Sequence, residues 1–234
     1  MAELIKFTID NQDCLAEKGL YIVEAAAKNN IYIPTLCNIP GVKPRGACRI
    51  CSVRVNGKLM SACTTPIADN MKIENNTPEI VEMRKIILET LFVSGNHFCP
   101  ACERSGSCDL QALAYRFGIL NQRFPYQFPS KSIDASHPKI MKDHDRCILC
   151  KRCIRGIKTE DGKSFFAYKK RGQTLEISID TELTSQLTDE LAIKAANLCP
   201  VGAILLKERG YNIPIGKRQY DLTPIGNEID HLEK

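Results

Sequence analysis

Cysteine is the residue type whose number and spacing suggest chemistry in this chain. Twelve cysteines occur among 234 residues, and eleven of them fall into three groups along the sequence. The groups are Cys37, Cys48, Cys51 and Cys63; then Cys99, Cys102 and Cys108, with His97 just before them; and then Cys147, Cys150, Cys153 and Cys199. Thiolate and imidazole groups bind soft and borderline metals. The three groups therefore indicate metal binding.

The third group has the most specific spacing. Three of its cysteines form C-x2-C-x2-C in DRCILCKRC, and Cys199 stands directly before Pro200. Bacterial ferredoxins with two clusters repeat C-x2-C-x2-C-x3-C-P, and the last cysteine of each run binds the other cluster. Here the positions of one complete ligand set hold Ile157, Asp189, Ala192 and Ala195 instead. The remaining four cysteines are the ligand set of one four-iron cubane, so this group predicts a single [4Fe–4S] cluster.

The first group lies in a segment rich in glycine and proline. Its spacing, C-x10-C-x2-C-x11-C, is wider than the C-x4-C-x2-C of plant-type ferredoxins, but it shares their close pair and distant partner. A loop of this composition can turn backbone N–H groups toward the sulfur atoms. We expect a [2Fe–2S] cluster at this group. Four structural cysteines or a zinc knuckle are the alternative.

The middle group is ambiguous on spacing alone. The stretch GNHFCPACERSGSC places His97 close to three cysteines. Four donors suit a [4Fe–4S] cluster, whose iron corners each take one ligand, and they also suit a Cys3His zinc site. The total count favours clusters, because eleven cysteines and one histidine supply four ligands for each of three clusters. Cys14 stays outside this count, and we expect it to be a small buried apolar side chain.

Short strands and helices are predicted around the three groups. The apolar pattern predicts strands at 4–9, 51–55, 59–62 and 71–73, and a helix at 21–29. A connecting helix is predicted from Thr77 and Pro78 to Gly95, and a short one from Leu110 to Phe117. The order of the first elements is that of a β-grasp fold.

Composition argues against several other classes of function. The net charge is +5, but aromatic residues make up only 6% and tryptophan is absent, so nucleic-acid binding is not expected. No apolar run reaches the roughly 18 residues of a membrane helix, and no signal peptide is recognised at the start. We expect a cytoplasmic protein without a membrane span, in which cysteines bind metal rather than form disulfides. The excess of basic residues would balance thiolate-bound clusters.

Nucleotide-binding motifs are not found in the sequence. It contains no G-x-G-x-x-G and no G-x-x-x-x-G-K-[ST]. We therefore expect no nicotinamide, flavin or ATP site and no catalytic residue on this chain.

The succession of the three groups resembles a known iron–sulfur region. It is similar to the N-terminal part of the large NADH-dehydrogenase subunit of respiratory complex I and of iron-only hydrogenases, over about residues 1–206. In length the chain looks most like the small diaphorase subunits of cytosolic NAD-reducing [NiFe] hydrogenases. The resemblance implies an α+β protein with four segments. These are a β-grasp [2Fe–2S] domain (1–76), a small helical His(Cys)3 [4Fe–4S] domain (77–125), a half-degenerate ferredoxin-like [4Fe–4S] domain (126–207) and an extended C-terminal arm (208–234).

The same resemblance implies the role and the partners. The chain would be a non-catalytic electron-transfer subunit of a hydrogen:NAD oxidoreductase, with one [2Fe–2S] and two [4Fe–4S] clusters. It would pass single electrons between a diaphorase large subunit, which holds FMN and NAD, and the hydrogenase small subunit with its large [NiFe] subunit. The same module in an NAD-dependent formate dehydrogenase or in complex I is an alternative. A zinc-stabilised interaction scaffold is the alternative from another class.

One ligand departs from the family spacing. The related proteins place the histidine four residues before the first cysteine of its group, whereas His97 is two residues before Cys99. The residue at the family position is Gly95, which has no side chain to bind iron. We nevertheless expect His97 to be the fourth ligand of the middle cluster, because imidazole is the strongest neutral donor nearby.

The C-terminal segment has many apolar residues but no helical or strand period. Tyr211, Ile213, Tyr220 and Ile225 alternate irregularly with glycine and proline. We expect an extended arm that lies on a partner subunit.

Overall fold

The first part of the chain folds as a five-stranded mixed sheet with one helix packed against it. The computed structural model describes residues 3–207 and 210–231. The sheet has the strand order β2-β1-β5-β3-β4, in which β1 and β5 run parallel. Its elements are β1 (Leu4–Ile9), β2 (Gln12–Glu17), α1 (Ile22–Lys28), β3 (Ser52–Val55), β4 (Lys58–Ser61) and β5 (Met71–Glu74). The long loop between α1 and β3 carries three cysteines of the first group.

Strand β2 was missing from the predicted elements. It returns from β1 through a tight turn at Asp10 and Asn11, which both have positive φ. Asp and Asn tolerate that conformation, so this pair was the available sequence signal. Cys14 on β2 lies opposite Phe7 of β1 and is 3% exposed. The prediction that Cys14 is a small buried apolar side chain is confirmed.

One long helix leads from the first sheet to the middle group. Helix α2 (Pro78–Val93) begins as predicted, since the Thr77 hydroxyl accepts a hydrogen bond from the Ile80 N–H at 3.3 Å. Arg84 on this helix is buried, and it donates hydrogen bonds to backbone carbonyls of the first domain. A 3-10 turn (Cys99–Ala101) and helix α3 (Asp109–Arg116) then carry the middle group.

The third group lies in a smaller α/β unit. Its elements are β6 (Ile133–Asp134), β7 (Ile140–Asp143), α4 (Arg152–Gly156), β8 (Phe166–Lys169), β9 (Glu176–Ile179), α5 (Asp189–Leu198) and β10 (Ile204–Leu206). A three-stranded sheet has the order β10-β7-β6, and β8 and β9 form a separate hairpin. Helix α5 is capped by Thr188, whose hydroxyl accepts from the Leu191 N–H at 3.3 Å. None of the helices in the described residues is long and apolar enough to cross a membrane.

Apolar side chains fill the positions of the replaced ligand set. Ile157, Ala192 and Ala195 are each at most 1% exposed, and they belong to the same core cluster as Phe165. The fourth position, Asp189, is exposed and pairs with Lys139 at the start of α5. This half of the ferredoxin-like pattern therefore forms hydrophobic core in the structure.

Part of the C-terminal segment packs on its own chain, whereas Tyr211, Ile215 and Leu222 are exposed. Contact of this segment with a partner subunit stays a prediction. The Tyr220 N–H donates to the Gly106 carbonyl at 2.8 Å, and its hydroxyl donates to Asp109 Oδ1 at 2.8 Å. Helix α6 (Asn227–Asp230) ends the segment, and Ile225 is buried in the main core. The residues of this segment that contact the rest of the chain are irregularly spaced, so the sequence shows no helical or strand period there. Residues 208, 209 and 232–234 of the predicted arm lie outside the described residues.

Removing residues 217–234 is expected to destabilise the middle part of the chain. The deletion takes away the buried Ile225 and the partly buried Tyr220, and losing one buried side chain such as Ile225 costs about 2–5 kcal/mol. We expect a lower melting temperature and faster loss of iron from the middle group, measured by thermal unfolding and chelator challenge. Removing only residues 232–234 is the control. Equal melting temperature and iron retention in the two truncated chains would contradict the packing.

Candidate metal centres

The structure brings the four cysteines of the first group together. The sulfur atoms of Cys51 and Cys63 lie 3.3 Å apart, and the Cys37 sulfur contacts those of Cys48 and Cys63. Three of the four side chains are 1% exposed, and Cys48 is partly buried. The sulfurs thus form two neighbouring pairs in a buried space. Two pairs of thiolates are what the two irons of a [2Fe–2S] cluster require.

The loop of the first group donates backbone hydrogen bonds to its sulfurs, as its composition predicted. The Cys37 sulfur accepts from the N–H groups of Ala47 and Cys48. Contacts with the Cys48 and Cys63 thiols, together with these N–H groups, lower the pKa of Cys37 far below its usual range. Contact with Cys63 likewise lowers the pKa of Cys51 to about 7. Contact with Cys37 and burial raise the pKa values of Cys48 and Cys63 instead, so the four sulfurs share protons until a positive charge such as iron binds them.

The four predicted ligands of the middle group surround one enclosed cavity. His97, Cys99, Cys102 and Cys108 all line it, with Phe92 of α2 and Leu110 of α3 forming apolar walls. Burial raises the pKa of Cys108 to about 12, so its thiol needs a nearby positive charge to ionise. Iron held by these residues would supply that charge. The residues present therefore fit a cluster with three cysteines and one histidine.

His97, which lines this cavity, has a buried ring nitrogen that is free to bind metal. Its Nε2 is buried and has no hydrogen-bond partner among the described residues, whereas an interaction with the Leu91 backbone at the end of α2 favours the protonated ring. Burial and the charge of Arg146 lower the pKa of His97 to about 4, so the imidazole is neutral. Phe92 packs edge-on against the ring at 5.5 Å between centroids. A neutral imidazole with one free nitrogen is the form that ligates metal.

Gly95 accounts for the shifted position of the histidine. A Cβ atom at Gly95 would lie 2.5 Å from His97 Nε2 and 2.7 Å from the Asp145 carbonyl oxygen. The imidazole of His97 therefore occupies the space that a side chain at position 95 would enter. A histidine two residues later in the chain reaches the same region only because residue 95 is glycine.

Arg146 and Gly202 shape the other side of the middle cavity. Arg146 Nη1 lies 3.5 Å from the Cys102 sulfur, and its Nε pairs with Asp143 at 2.9 Å. A Cβ atom at Gly202 would lie 2.5 Å from the same sulfur. Arg146 and Gly202 belong to the third unit and contact Cys102 of the middle group. The sequence pattern did not predict this contact between the two groups.

The third group also converges around one buried region. Cys150 interacts electrostatically with Cys147, Cys153 and Cys199, and burial raises its pKa well above the usual value. Burial also raises the pKa of Cys153 to about 12. Buried thiols of this kind ionise only beside positive charge, which an iron–sulfur core provides.

The third group touches both of the others. Arg155 of α4 donates a hydrogen bond to the Cys37 carbonyl at 2.9 Å, which joins it to the first group. Arg152 of the same helix pairs with Asp109 at 3.1 Å, next to the last cysteine of the middle group. The Asp109 N–H in turn donates to the Pro200 carbonyl at 2.9 Å. The five-residue helix α4 thus lies where the three groups meet.

The donors do not converge as they do around a single ion. In the part of the chain that the structure describes, no three His, Cys, Asp or Glu side chains form a single-ion site. A cluster takes each ligand at one of several irons, so its ligands surround a larger volume. The iron and zinc content of the purified chain distinguishes a cluster from a zinc site.

Three family models match consecutive parts of the chain. A 2Fe-2S iron-sulfur cluster binding domain matches residues 2–78. The NADH-ubiquinone oxidoreductase-G iron-sulfur binding region matches residues 84–123, and the ferredoxin-like domain of NADH-quinone oxidoreductase subunit 3 matches residues 137–205. The chain therefore contains iron–sulfur domains of the 2Fe–2S and 4Fe–4S types.

Two curated relatives differ in how much of their length the chain spans. The gamma subunit of NAD-reducing hydrogenase HoxS from Cupriavidus necator is 43% identical over 222 residues, which is 94% of this chain and 95% of the relative. The alpha subunit of NADPH-Fe(3+) oxidoreductase from Geobacter sulfurreducens is 33% identical over 206 residues, 87% of this chain but only 24% of the relative. The chain therefore spans about a quarter of the second relative.

A solved structure agrees with the first relative. A chain in the crystal structure of NAD+-reducing [NiFe]-hydrogenase in the H2-reduced state superimposes with a TM-score of 0.86 at 37% identity, with 96% of each chain covered. The resemblance inferred from the three cysteine groups is confirmed by these similarities. This chain belongs to the family of the gamma subunits of NAD-reducing hydrogenases.

Proposed function

We propose that this chain relays single electrons within an NAD-reducing [NiFe] hydrogenase. One [2Fe–2S] cluster is bound by Cys37, Cys48, Cys51 and Cys63, and one [4Fe–4S] cluster is bound by His97, Cys99, Cys102 and Cys108. A second [4Fe–4S] cluster is bound by Cys147, Cys150, Cys153 and Cys199. The observation that carries this proposal is the contact of the third group with both others, through Arg155 and through Asp109. Electrons then have a continuous route through the chain.

The partners follow from the chemistry that the clusters supply. Each cluster exchanges one electron at a time, so a partner must convert the two-electron chemistry of NADH into single electrons. We propose that this partner is a diaphorase large subunit with FMN, and that the hydrogenase small subunit with its [NiFe] large subunit lies at the other end of the route. The first relative is a subunit of an NAD-reducing hydrogenase and the solved structure is of an NAD+-reducing [NiFe]-hydrogenase, and both support a hydrogenase partner.

The fold supports the division of the chain that the sequence suggested. The mixed sheet with a parallel β1–β5 pair and one packed helix supports a β-grasp domain at 1–76. We propose that 77–125 is the His(Cys)3 domain, that 126–207 is the ferredoxin-like domain and that 208–234 closes over the middle domain. The cytoplasmic location stays a prediction.

Metal analysis tests the clusters. We expect about ten iron and ten sulfide per anaerobically purified chain, the sum of one binuclear and two cubane clusters. Cys14→Ala is the matched control and should keep all the iron, because Cys14 is buried in the first sheet beside Phe7. Cys63→Ala should lose about two iron. A colourless chain that contains zinc would support the interaction scaffold instead, and about fourteen iron would mean a further cubane.

Activity of the native complex tests the assignment to hydrogenase. The complex that contains this chain should reduce NAD with hydrogen. Reduction of NAD with formate but not with hydrogen would assign the chain to a formate dehydrogenase. If the complex uses neither hydrogen nor formate but reduces quinone with NADH, the chain belongs to complex I.

A further inference from the structure

Lys142 is a buried cation that belongs to none of the three ligand groups. It lies on β7, the middle strand of the three-stranded sheet, opposite Ile204 of β10 and Asp134 of β6. Its side chain is 1% exposed, although lysine is among the residues least often buried. Because side chains alternate along a strand, Lys142 shares the core-facing side with Ile140.

A buried ammonium group needs an anionic partner. Moving a charge out of water is strongly unfavourable unless an opposite charge lies close to it. Among the described residues, no Asp or Glu forms an ion pair with Lys142. Its face of the sheet packs on the core that contains Cys153 and Cys199, because Ile140 and the opposite residue Ile204 belong to the same buried cluster as these cysteines. The groups that favour its charge are therefore cysteines of the third group, namely Cys147, Cys153 and Cys199.

The proposed third cluster supplies the missing negative charge. Four thiolates around an oxidised four-iron core carry a net charge of about −2. We propose that Lys142 is the internal counter-cation of the third cluster, and that its fixed positive charge raises the reduction potential of this cluster. The inference rests on the proposed function, because it requires the cluster at this site.

The cations near the other two groups are arranged differently. Arg84, buried near the first group, donates hydrogen bonds to backbone carbonyls and to Asn75 Oδ1, and Cys51 also favours its charge. Arg146, beside the Cys102 sulfur, is offset by ion pairs with Asp143 and Glu103. Unlike Arg146, Lys142 has no carboxylate partner among the described residues. The groups that favour its charge are three cysteines of the third group. Its effect should therefore be specific to the third cluster.

A fixed positive charge favours the reduced cluster. One electron from the partner adds one negative charge to the cluster, and the attraction of that charge to Lys142 is strong in the poorly screened interior. The third group contacts both other groups. The reduction potential of the third cluster therefore sets what fraction of the transferred electrons it holds at equilibrium with the other two clusters.

Redox titration of the full chain tests this role. The variants are Lys142→Met, which removes the charge and the donor, Lys142→Gln, which keeps a donor, and Lys142→Arg, which keeps the charge. The matched control is Lys163→Met, since Lys163 is exposed, pairs with Asp161 and carries the same formal charge. Iron content shows which clusters are present. The third cluster's spectroscopic signal is identified by its loss in Cys199→Ala.

The expected result is a lower potential of the third cluster in both neutral variants. The decrease should equal at least a tenfold change in the equilibrium constant for reduction, about 59 mV for a one-electron couple. Lys142→Arg and Lys163→Met should keep the original potential, and the other two clusters should be unchanged. If both neutral variants lack the third cluster while Lys142→Arg retains it, the charge is needed for assembly, which also supports the proposal.

Three results would overturn the role of Lys142. They are an unchanged potential in either neutral variant with full iron content, an equal decrease in Lys163→Met, and loss of the cluster in all three Lys142 variants. Absence of the third cluster from the unaltered chain would instead refute the proposed function, so the two failures are distinguishable.

Discussion

Replacing His97 by alanine is expected to remove the middle cluster, so that the chain holds about six iron instead of about ten. The three cysteines of the cavity leave one iron corner without a ligand. Among the described residues that line the cavity, His97 is the one with a buried side-chain nitrogen that has no hydrogen-bond partner. Electron flow through the chain should fall with the loss of iron. Iron analysis, the spectrum of the reduced chain and hydrogen-dependent NAD reduction by the complex measure the effect.

His97→Cys is the matched variant for this test. A thiolate at position 97 should keep the cluster but lower its reduction potential, because it adds a negative charge that imidazole does not carry. His144 provides a control, since both of its ring nitrogens already contact backbone carbonyls, those of Ser132 and Ile177. Its replacement should leave the middle cluster's spectrum intact. If His97→Ala keeps four iron in the middle cluster with an unchanged potential and spectrum, His97 is not the ligand.

Gly95→Ala is expected to disturb the middle cluster without altering any ligand. The new Cβ would lie 2.5 Å from His97 Nε2 and 2.7 Å from the Asp145 carbonyl, both far inside normal contact distance. The imidazole must therefore turn away from the cavity or the Asp145 backbone must move. Such overpacking costs about 1–3 kcal/mol. We expect a lower melting temperature and loss or alteration of the middle cluster, measured by thermal unfolding and by iron analysis with spectroscopy.

Gly210→Ala is the control for the change from glycine to alanine. Among the described residues, a Cβ at Gly210 would meet only Glu103 Cγ, at 4.0 Å, which is an ordinary contact. That variant should keep the melting temperature and all the iron. A Gly95→Ala chain with the original melting temperature and an unaltered middle cluster would show that the imidazole is not held against residue 95.

The close approach of the donor residues was predictable in part, because most members of the middle and third groups are near one another in the sequence, whereas Cys199 is far from Cys153. Their role as ligands stays a prediction. In DRCILCKRC and in the stretch around His97, the donor residues lie within a few residues of one another. Helix α2 was predictable for a similar reason, since Thr77 and Pro78 give a start signal that needs no tertiary contact. In each case the nearby sequence contains the physical cause of the structure.

The cations around the groups were not predictable, because their partners are distant in the sequence. Arg146 contacts Cys102 across 44 residues, and Arg155 contacts the Cys37 carbonyl across 118. In the sequence these residues look like ordinary solvated charges beside cysteines. The role of Gly95 was hidden in the same way, because only the ring position of His97 shows why a side chain is excluded there.

The hydrogen bond from Arg155 to the Cys37 carbonyl also has a consequence for biosynthesis. The ribosome must add 118 residues after Cys37 before its partner exists, so the loop of the first group is completed late. Domains generally fold in order from the N-terminus during synthesis, at about 5–20 residues per second. The N-terminal sheet therefore forms many seconds before its cysteine loop receives this last support. A chain interrupted between the two residues would present an early-folded domain whose metal-binding loop is still unsupported.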